Sequence, residues 1–236
     1  MIALMGSTSG HFFGALTLPY SSSAGSTLVL CLAATNATSV PAVSDTAGNT
    51  WSTADTTIPS SGSQRCAVMY YCIGADAISS VTMPDGGNGD TAVLSEWSGI
   101  EALDNATADD QSTNPSQAMV SCVAGGLIIG QGSYYRPGSN TGSVGSGFTT
   151  LANFGGTSAT FMMTAYSIEA SATTDGPAFS TDYQYPHFGL ITASFTPAPT
   201  GPTPGAYIYD GTDWVRHVPY VWDGSQWVET DVVTTT

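Results

Sequence analysis

The sequence predicts an all-β protein, a β-sandwich of jelly-roll-like character with a small C-terminal hairpin module, and three observations carry that prediction. Apolar residues rarely recur at the three-and-four spacing of an amphipathic helix. Short runs rich in Val, Ile, Thr, Tyr and Phe recur instead. Gly, Pro, Ser and Thr break nearly every window between them, as the turns of sandwiches and barrels require. With 236 residues, the chain has room for one large β domain and an appendage, and can bury a core without covalent staples.

Strands are expected near residues 11–19, 26–35, 50–54, 65–73, 79–84, 90–98, 117–123, 125–132, 147–153, 159–169 and 187–195. In Arg65-Cys66-Ala67-Val68-Met69-Tyr70-Tyr71-Cys72-Ile73 both alternating sets are largely apolar, which predicts a central strand covered on both faces. In Thr91-Ala92-Val93-Leu94-Ser95-Glu96-Trp97 the sets are mixed, which predicts an outer face that meets water or a neighbour. Ser44-Asp45-Thr46-Ala47-Gly48-Asn49-Thr50-Trp51 reads as a turn entering a strand, with Asp45 accepting from amides ahead of it and Gly48-Asn49 suited to positive φ.

Residues 197–204 run Pro-Ala-Pro-Thr-Gly-Pro-Thr-Pro, and so many prolines cannot join a sheet interior. The expected organisation is therefore a sandwich over residues 1–196, a semi-rigid linker over 197–205 and a module over 206–236. That module repeats with a 13-residue period: Tyr207-Ile208-Tyr209-Asp210-Gly211-Thr212-Asp213-Trp214-Val215, then Tyr220-Val221-Trp222-Asp223-Gly224-Ser225-Gln226-Trp227-Val228. Each unit is an aromatic-rich strand, an Asp-Gly turn and Trp-Val, a short-range hairpin signal. The aromatic two residues before each Gly is expected to face the Trp three after it. The aromatics Tyr207, Tyr209, Trp214, Tyr220, Trp222 and Trp227 are the expected partner contacts, since Trp and Tyr are enriched at interface hot spots. In the main domain, Trp51, Trp97, Tyr70 and Tyr71 are the expected structural anchors.

Charge narrows the function. The net charge is −15, with no lysine and only Arg65, Arg136 and Arg216 on the basic side. Phosphates need cations to neutralise them, so nucleic acid and anionic membrane surfaces are excluded as expected partners. Hydrophobic residues make up 42% and charged residues 9%, a balance that fits neither charge-rich disorder nor a membrane span. The beginning Met1-Ile2-Ala3-Leu4-Met5-Gly6 lacks a basic n-region, so synthesis in a cytoplasm is expected. Cys31, Cys66, Cys72 and Cys122 form no C-x-x-C pair. Buried free thiols are expected, with a Cys31–Cys122 bridge as the alternative, and Cys66 and Cys72 sit about 20 Å apart on a continuous strand.

No nucleophile elbow, phosphate loop or zinc pattern is present, and neither an enzyme nor a cofactor is expected. Glu96, on an apolar strand beside Trp97, is the most suggestive carboxylate, with Glu101, Asp104 and Glu169 as conceivable partners in a glycosidase reading. His11, His187 and His217 lie in separate contexts. Asp85-Gly86-Gly87-Asn88-Gly89-Asp90 alternates glycine with oxygen donors and makes Asp85, Asn88 and Asp90 a weak calcium candidate; a turn explains it equally well.

The turn Ser44–Trp51, the strand Val68–Ile73 and the strand end Ser95-Glu96-Trp97-Ser98-Gly99-Ile100 together resemble a family of β-sandwich virion proteins of tailed bacteriophages, in which a D-x-x-G-N-x-aromatic turn precedes a strand and an E-aromatic-S-G strand end follows. The tandem C-terminal hairpins are similar to the terminal modules of minor tail proteins from phages of actinobacteria. The resemblance implies a non-enzymatic minor tail component, alternatively a capsid decoration protein, present in many copies or as a homo-oligomer among other virion proteins on the particle surface. It also leaves open contact with a host cell-wall glycan. A carbohydrate-binding module is the alternative of a different class.

Overall fold

The structure is a computed structural model. It describes residues 1–35, 40–57, 65–83, 88–111, 116–135, 142–154, 160–182 and 188–199, and four short strands beyond them. It is all-β: no helix occurs among the described residues. The chain forms two compact units, Met1–Ala198 and Pro199–Thr236.

The first unit is a β-sandwich whose chain makes the same winding twice. The first winding comprises β1 (Ala3–Phe13), β2 (Leu16–Pro19), β3 (Ser26–Thr35), β4 (Ser44–Asp45), β5 (Ser52–Thr57), β6 (Arg65–Ala75), β7 (Ser80–Met83) and β8 (Asn88–Ser98). The second comprises β9 (Ile100–Gln111), β10 (Val120–Cys122), β11 (Leu127–Tyr135), β12 (Gly142–Val144), β13 (Thr149–Phe154), β14 (Thr160–Ile168), β15 (Thr173–Asp175), β16 (Phe179–Thr181) and β17 (Phe188–Pro197). One five-stranded antiparallel sheet has the order β1-β8-β3-β6-β5, and the other, read from its far edge, β9-β17-β11-β14-β13. Each winding adds a small outer layer. It is β2-β7-β4 in the first; in the second, β15 pairs β10 and β16 pairs β12, so the two short strands stand where β7 stands.

The equivalence extends to single residues. β1 carries one extra residue, Met5, between the pairs Leu4↔Trp97 and Gly6↔Glu96; β9 carries Asp104 between Leu103↔Phe195 and Asn105↔Ser194. β5 bulges at Ala54 against β6, and β13 at Leu151 against β14. Bulges bend an edge strand and raise its twist, so matching bulges curve both sheets alike. Gly25 and Gly125, at φ 79 and 76, make the turns that lead into β3 and β11. A residue with a side chain pays strain in this left-handed region.

The two large sheets pack face to face, as sandwiches do. Between them lies one apolar layer that includes Val29, Cys31, Met69, Val93 and Trp97 from the first sheet and Leu127, Ile129, Met162, Ile191 and Phe195 from the second. Its aromatic contacts are reciprocal. Tyr71, opposite Val29, meets Phe195 edge-on at 5.9 Å; Tyr166, opposite Ile129, meets Trp97 edge-on at 4.9 Å, both with rings inclined by 73°. Residue i touching j′ while i′ touches j is the mark of a two-fold relation. A second apolar layer, with Leu28, Leu30, Val68, Tyr70, Val81 and Leu94, fills the space under β2-β7-β4. Tyr134, Phe161, Met163, Phe179 and Phe188 do the same on the far side of the second sheet.

β6 is central and buried on both faces, as its sequence predicts: Val68 and Tyr70 join one layer, Ala67 and Met69 the other. β8 corrects the expectation of a solvated outer face. Ala92 and Leu94 face the outer layer while Thr91, Val93, Ser95 and Trp97 are buried on the other side, because a second layer covers each sheet. The polar atoms this buries are used internally: Trp97 Nε1 donates to Ser95 Oγ at 2.8 Å. The run expected at 11–19 is two strands, broken at Gly14, whose φ is 90.

The second unit contains the antiparallel pairs β18 (Ala206–Tyr209) with β19 (Trp214–His217), and β20 (Tyr220–Trp222) with β21 (Trp227–Glu229).

Candidate functional site

The turn before β5 shows why its motif needs those residue types. Asp45 Oδ1 accepts from the backbone N–H of Ala47, Gly48 and Asn49 at 2.9, 2.8 and 3.2 Å, and Oδ2 accepts from Trp51 Nε1 at 2.7 Å. Gly48 supplies a φ of 78. The Asn49 side chain exchanges two hydrogen bonds with the backbone of Asp76, at 3.1 and 2.9 Å, tying the turn to the end of β6. Partial burial raises the Asp45 carboxyl pKa, but the indole and amide donors outweigh it and hold the group below its ordinary value. Trp51 rests on the outer apolar layer. The motif is an architectural clamp.

Glu96 is buried, with 4% of its surface exposed. Oε2 accepts from the Tyr20 hydroxyl at 2.8 Å and Oε1 from the Ser23 backbone N–H at 2.7 Å. Burial, then the Glu96 hydrogen bond and charge, push the Tyr20 phenol well up. Both carboxylate oxygens thus hold the segment between β2 and β3 against β8. Of the acids considered with it, Glu101 and Asp104 are exposed on β9, and Glu169 accepts from the Ser167 hydroxyl. Asp104 lines a shallow depression of about 600 Å³ with Ser121, Cys122, Val123 and Ala172–Thr174.

The calcium candidates divide. Asp85 lies outside the described residues, Asn88 begins β8 opposite Phe13, and Asp90 is buried on the same strand opposite Phe12. Asn88 and Asp90 are ladder residues of a strand, two apart. No group of three His, Cys, Asp or Glu side chains arranged to hold a metal occurs among the described residues. His11 Nδ1 and Thr91 Oγ1 share a hydrogen bond of 3.2 Å; burial lowers the imidazole pKa, and Asp90 acts against that. His187 lies outside the described residues, and His217 ends β19.

Cys31, Cys72 and Cys122 are buried free thiols, which removes the Cys31–Cys122 bridge. Burial pushes Cys31 up to about 12. Burial, with Glu169 and Asp104 adding to it, pushes Cys122 up to about 11. Neither is a nucleophile at neutral pH, because the thiolate is the reactive form. β6 runs unbroken through Cys66 and Cys72.

Of the anchors expected in the main domain, Trp97 is fully buried and the Tyr70 hydroxyl donates to the Pro41 carbonyl. Tyr71 clasps Phe195. Their partners Tyr166 and Phe195 were not anticipated. The available signal was faint: Ala24-Gly25 and Ala124-Gly125 stand 100 residues apart, each before an apolar run.

In the second unit the backbone register sets Tyr209 opposite Trp214 and Trp222 opposite Trp227, the pairing the sequence spacing predicts. Tyr207 stands opposite Arg216 and Tyr220 opposite Glu229. The six aromatics named from the sequence therefore sit on two hairpins of the same register. The polar groups of the first unit act as fasteners.

Comparison with protein-family models, with curated proteins and with solved structures gave no match.

Proposed function

We propose that this chain is a non-enzymatic structural protein of a tailed-bacteriophage virion, a minor tail component that assembles through sheet and aromatic contacts. The observation that carries the proposal is the tandem hairpin unit, which repeats one aromatic pairing, Tyr209↔Trp214 and Trp222↔Trp227, on a compact body separate from the sandwich. A repeated aromatic cross-strand pair concentrates rigid contact area at low conformational cost, and two-stranded hairpins of this size need a partner surface for stability. The engagement of both Glu96 oxygens by Tyr20 and Ser23 supports a scaffold role for the most suggestive acid. Within each winding the large sheet keeps the order first-last-third-sixth-fifth, with a small outer layer of the second, fourth and later short strands, which supports reading each half as one jelly-roll-like module. The acidic surface keeps many copies apart and soluble before they assemble.

The test is a chain that ends at Ala198, the last residue of the first unit, compared with the full chain during particle assembly. Truncation is expected to leave a folded sandwich, with the same cooperative melting, that fails to enter particles. Antibody to the full chain should label tails. Labelling of heads would move the protein to the capsid, and tight binding of free sugar by the monomer would replace the proposal with a lectin.

A further inference from the structure

Two polar side chains meet inside the apolar layer between the large sheets. Gln131 on β11 and Thr164 on β14 stand directly opposite each other in the ladder. Successive residues of a strand alternate faces, so Gln131 lies on the face of Leu127 and Ile129, and Thr164 on that of Met162 and Tyr166. Their neighbours in the same row are apolar, Ile191 on β17 and Ala152 on β13. Both residues are fully buried. Gln131 Nε2 donates to the Leu32 carbonyl of the first sheet at 2.7 Å. Gln131 Oε1 and Thr164 Oγ1 have no hydrogen-bond partner among the described residues. A buried polar atom left so costs stability, and protein interiors supply it with a protein group or an ordered water. The fold does not demand polarity at this place. At the equivalent positions of the first sheet the ladder pairs Cys31 with Met69, and both belong to the apolar layer.

We infer that Gln131 and Thr164 form an internal site for a single water molecule, which bridges Gln131 Oε1 and Thr164 Oγ1. Directly opposed residues hold their Cβ atoms about 5 Å apart. The two oxygens therefore share a neighbourhood without bonding each other, and one bridging molecule spans such a separation. The water donates to Gln131 Oε1 and accepts from the Thr164 hydroxyl, so each atom gains a partner. Charge selects the ligand. Burial alone pushes the thiol of Cys31, next to Leu32, up to about 12, with no ionised group contributing. A cation in this part of the core would lack a counter-charge, whereas a neutral molecule that both donates and accepts fits. The polar link then runs from Thr164 on β14 through the water to Gln131 on β11 and on to the Leu32 carbonyl on β3. It adds a directional tie to a layer held chiefly by apolar contact, which has no direction of its own.

The inference goes beyond the virion proposal and does not depend on it. The experiment is water relaxation dispersion on the full-length chain, which counts water molecules held inside longer than the protein takes to tumble. It is joined to nuclear Overhauser contacts between water and the Gln131 carboxamide protons. The native chain is expected to show that contact. It should also hold one more long-lived water than Thr164→Val, which keeps the shape of the side chain and removes its hydroxyl. Gln131→Met should lose the same water, and the double variant should lose no second one. An equal count in the native chain and both single variants overturns the inference, and so does a Gln131 carboxamide without contact to water. A crystal structure in which the Thr164 hydroxyl bonds straight to Gln131 Oε1 overturns it as well. Where a substitution prevents folding, the contact at Gln131 in the native chain decides on its own.

Discussion

Residues 1–98 and 100–198 wind the same way but are filled differently. In the first half, the position where the edge ladder bulges is backed by Trp97; in the second, by Phe195. Beside them, Glu96 and Ser194 are equivalent. Glu96 gathers Tyr20 and Ser23, whereas Ser194 Oγ donates to the Ser121 carbonyl at 2.7 Å. Glu96 fastens the segment that follows the second strand of its half with a carboxylate, and Ser194 fastens the second strand itself with a hydroxyl. In the middle of the sandwich, Cys31 is matched by Gln131, whose Nε2 donates to the Leu32 carbonyl of the opposite sheet at 2.7 Å. Winding order and bulge position thus persist where side-chain chemistry does not. Backbone geometry constrains the fold more tightly than the identity of its fasteners.

The comparison breaks most readily at the aromatic clasp. Trp97→Ala and Phe195→Ala each delete a fully buried ring from the same layer, and each is expected to cost about 3–5 kcal/mol in chemical denaturation. A cost below about 1 kcal/mol for one of the pair would show that the two-fold relation does not distribute the load evenly.

The fasteners come next. Glu96→Ala leaves the Tyr20 hydroxyl and Ser23 amide without their acceptor and should destabilise by about 1–3 kcal/mol, against about 1 kcal/mol for Ser194→Ala. Equal effects would mean that the carboxylate holds its loop no better than the hydroxyl.

The smallest effect sharpens a difference between the turns that lead into the fifth strand of each half. The first is clamped by Asp45 around Gly48; the second turns at Gly147, φ 91, before Phe148, which rests on the outer layer. The Asp45 carboxyl is held below its ordinary value of 3.8 when folded, so its contribution is present above that value and is lost as pH falls through the folded pKa. Asp45→Asn should lower stability at neutral pH and flatten the acid side of the stability profile. An unchanged slope below about pH 4 would detach the clamp from acid stability.

The strand β3 was legible to the residue, because its apolar run is bounded by Gly25 and by polar residues. β6 was legible because an apolar set on each face fits only a strand between layers. β9 was missed: Asp, Asn and Ala are poor strand formers, and an edge strand with solvated bonds tolerates them. The first residues of β1 were missed for a related reason, since Gly and Ser give little propensity. Glu96 was noticed as a buried-looking acid, yet its partners Tyr20 and Ser23 lie more than seventy residues away and no local pattern points to them.

By itself the sequence determined the class, the turn at Asp45–Trp51, the register of the C-terminal hairpins and the strongly acidic net charge. Each of these depends on neighbours within a few residues or on composition summed over the chain. Only the tertiary structure decided that the sandwich is one winding made twice, that Tyr71 and Tyr166 serve one role, and that Gln131 and Thr164 stand where Cys31 and Met69 stand in the other sheet. Those facts are relations between residues about a hundred positions apart, where pairing depends on three-dimensional packing and similar backbones are built from dissimilar side chains.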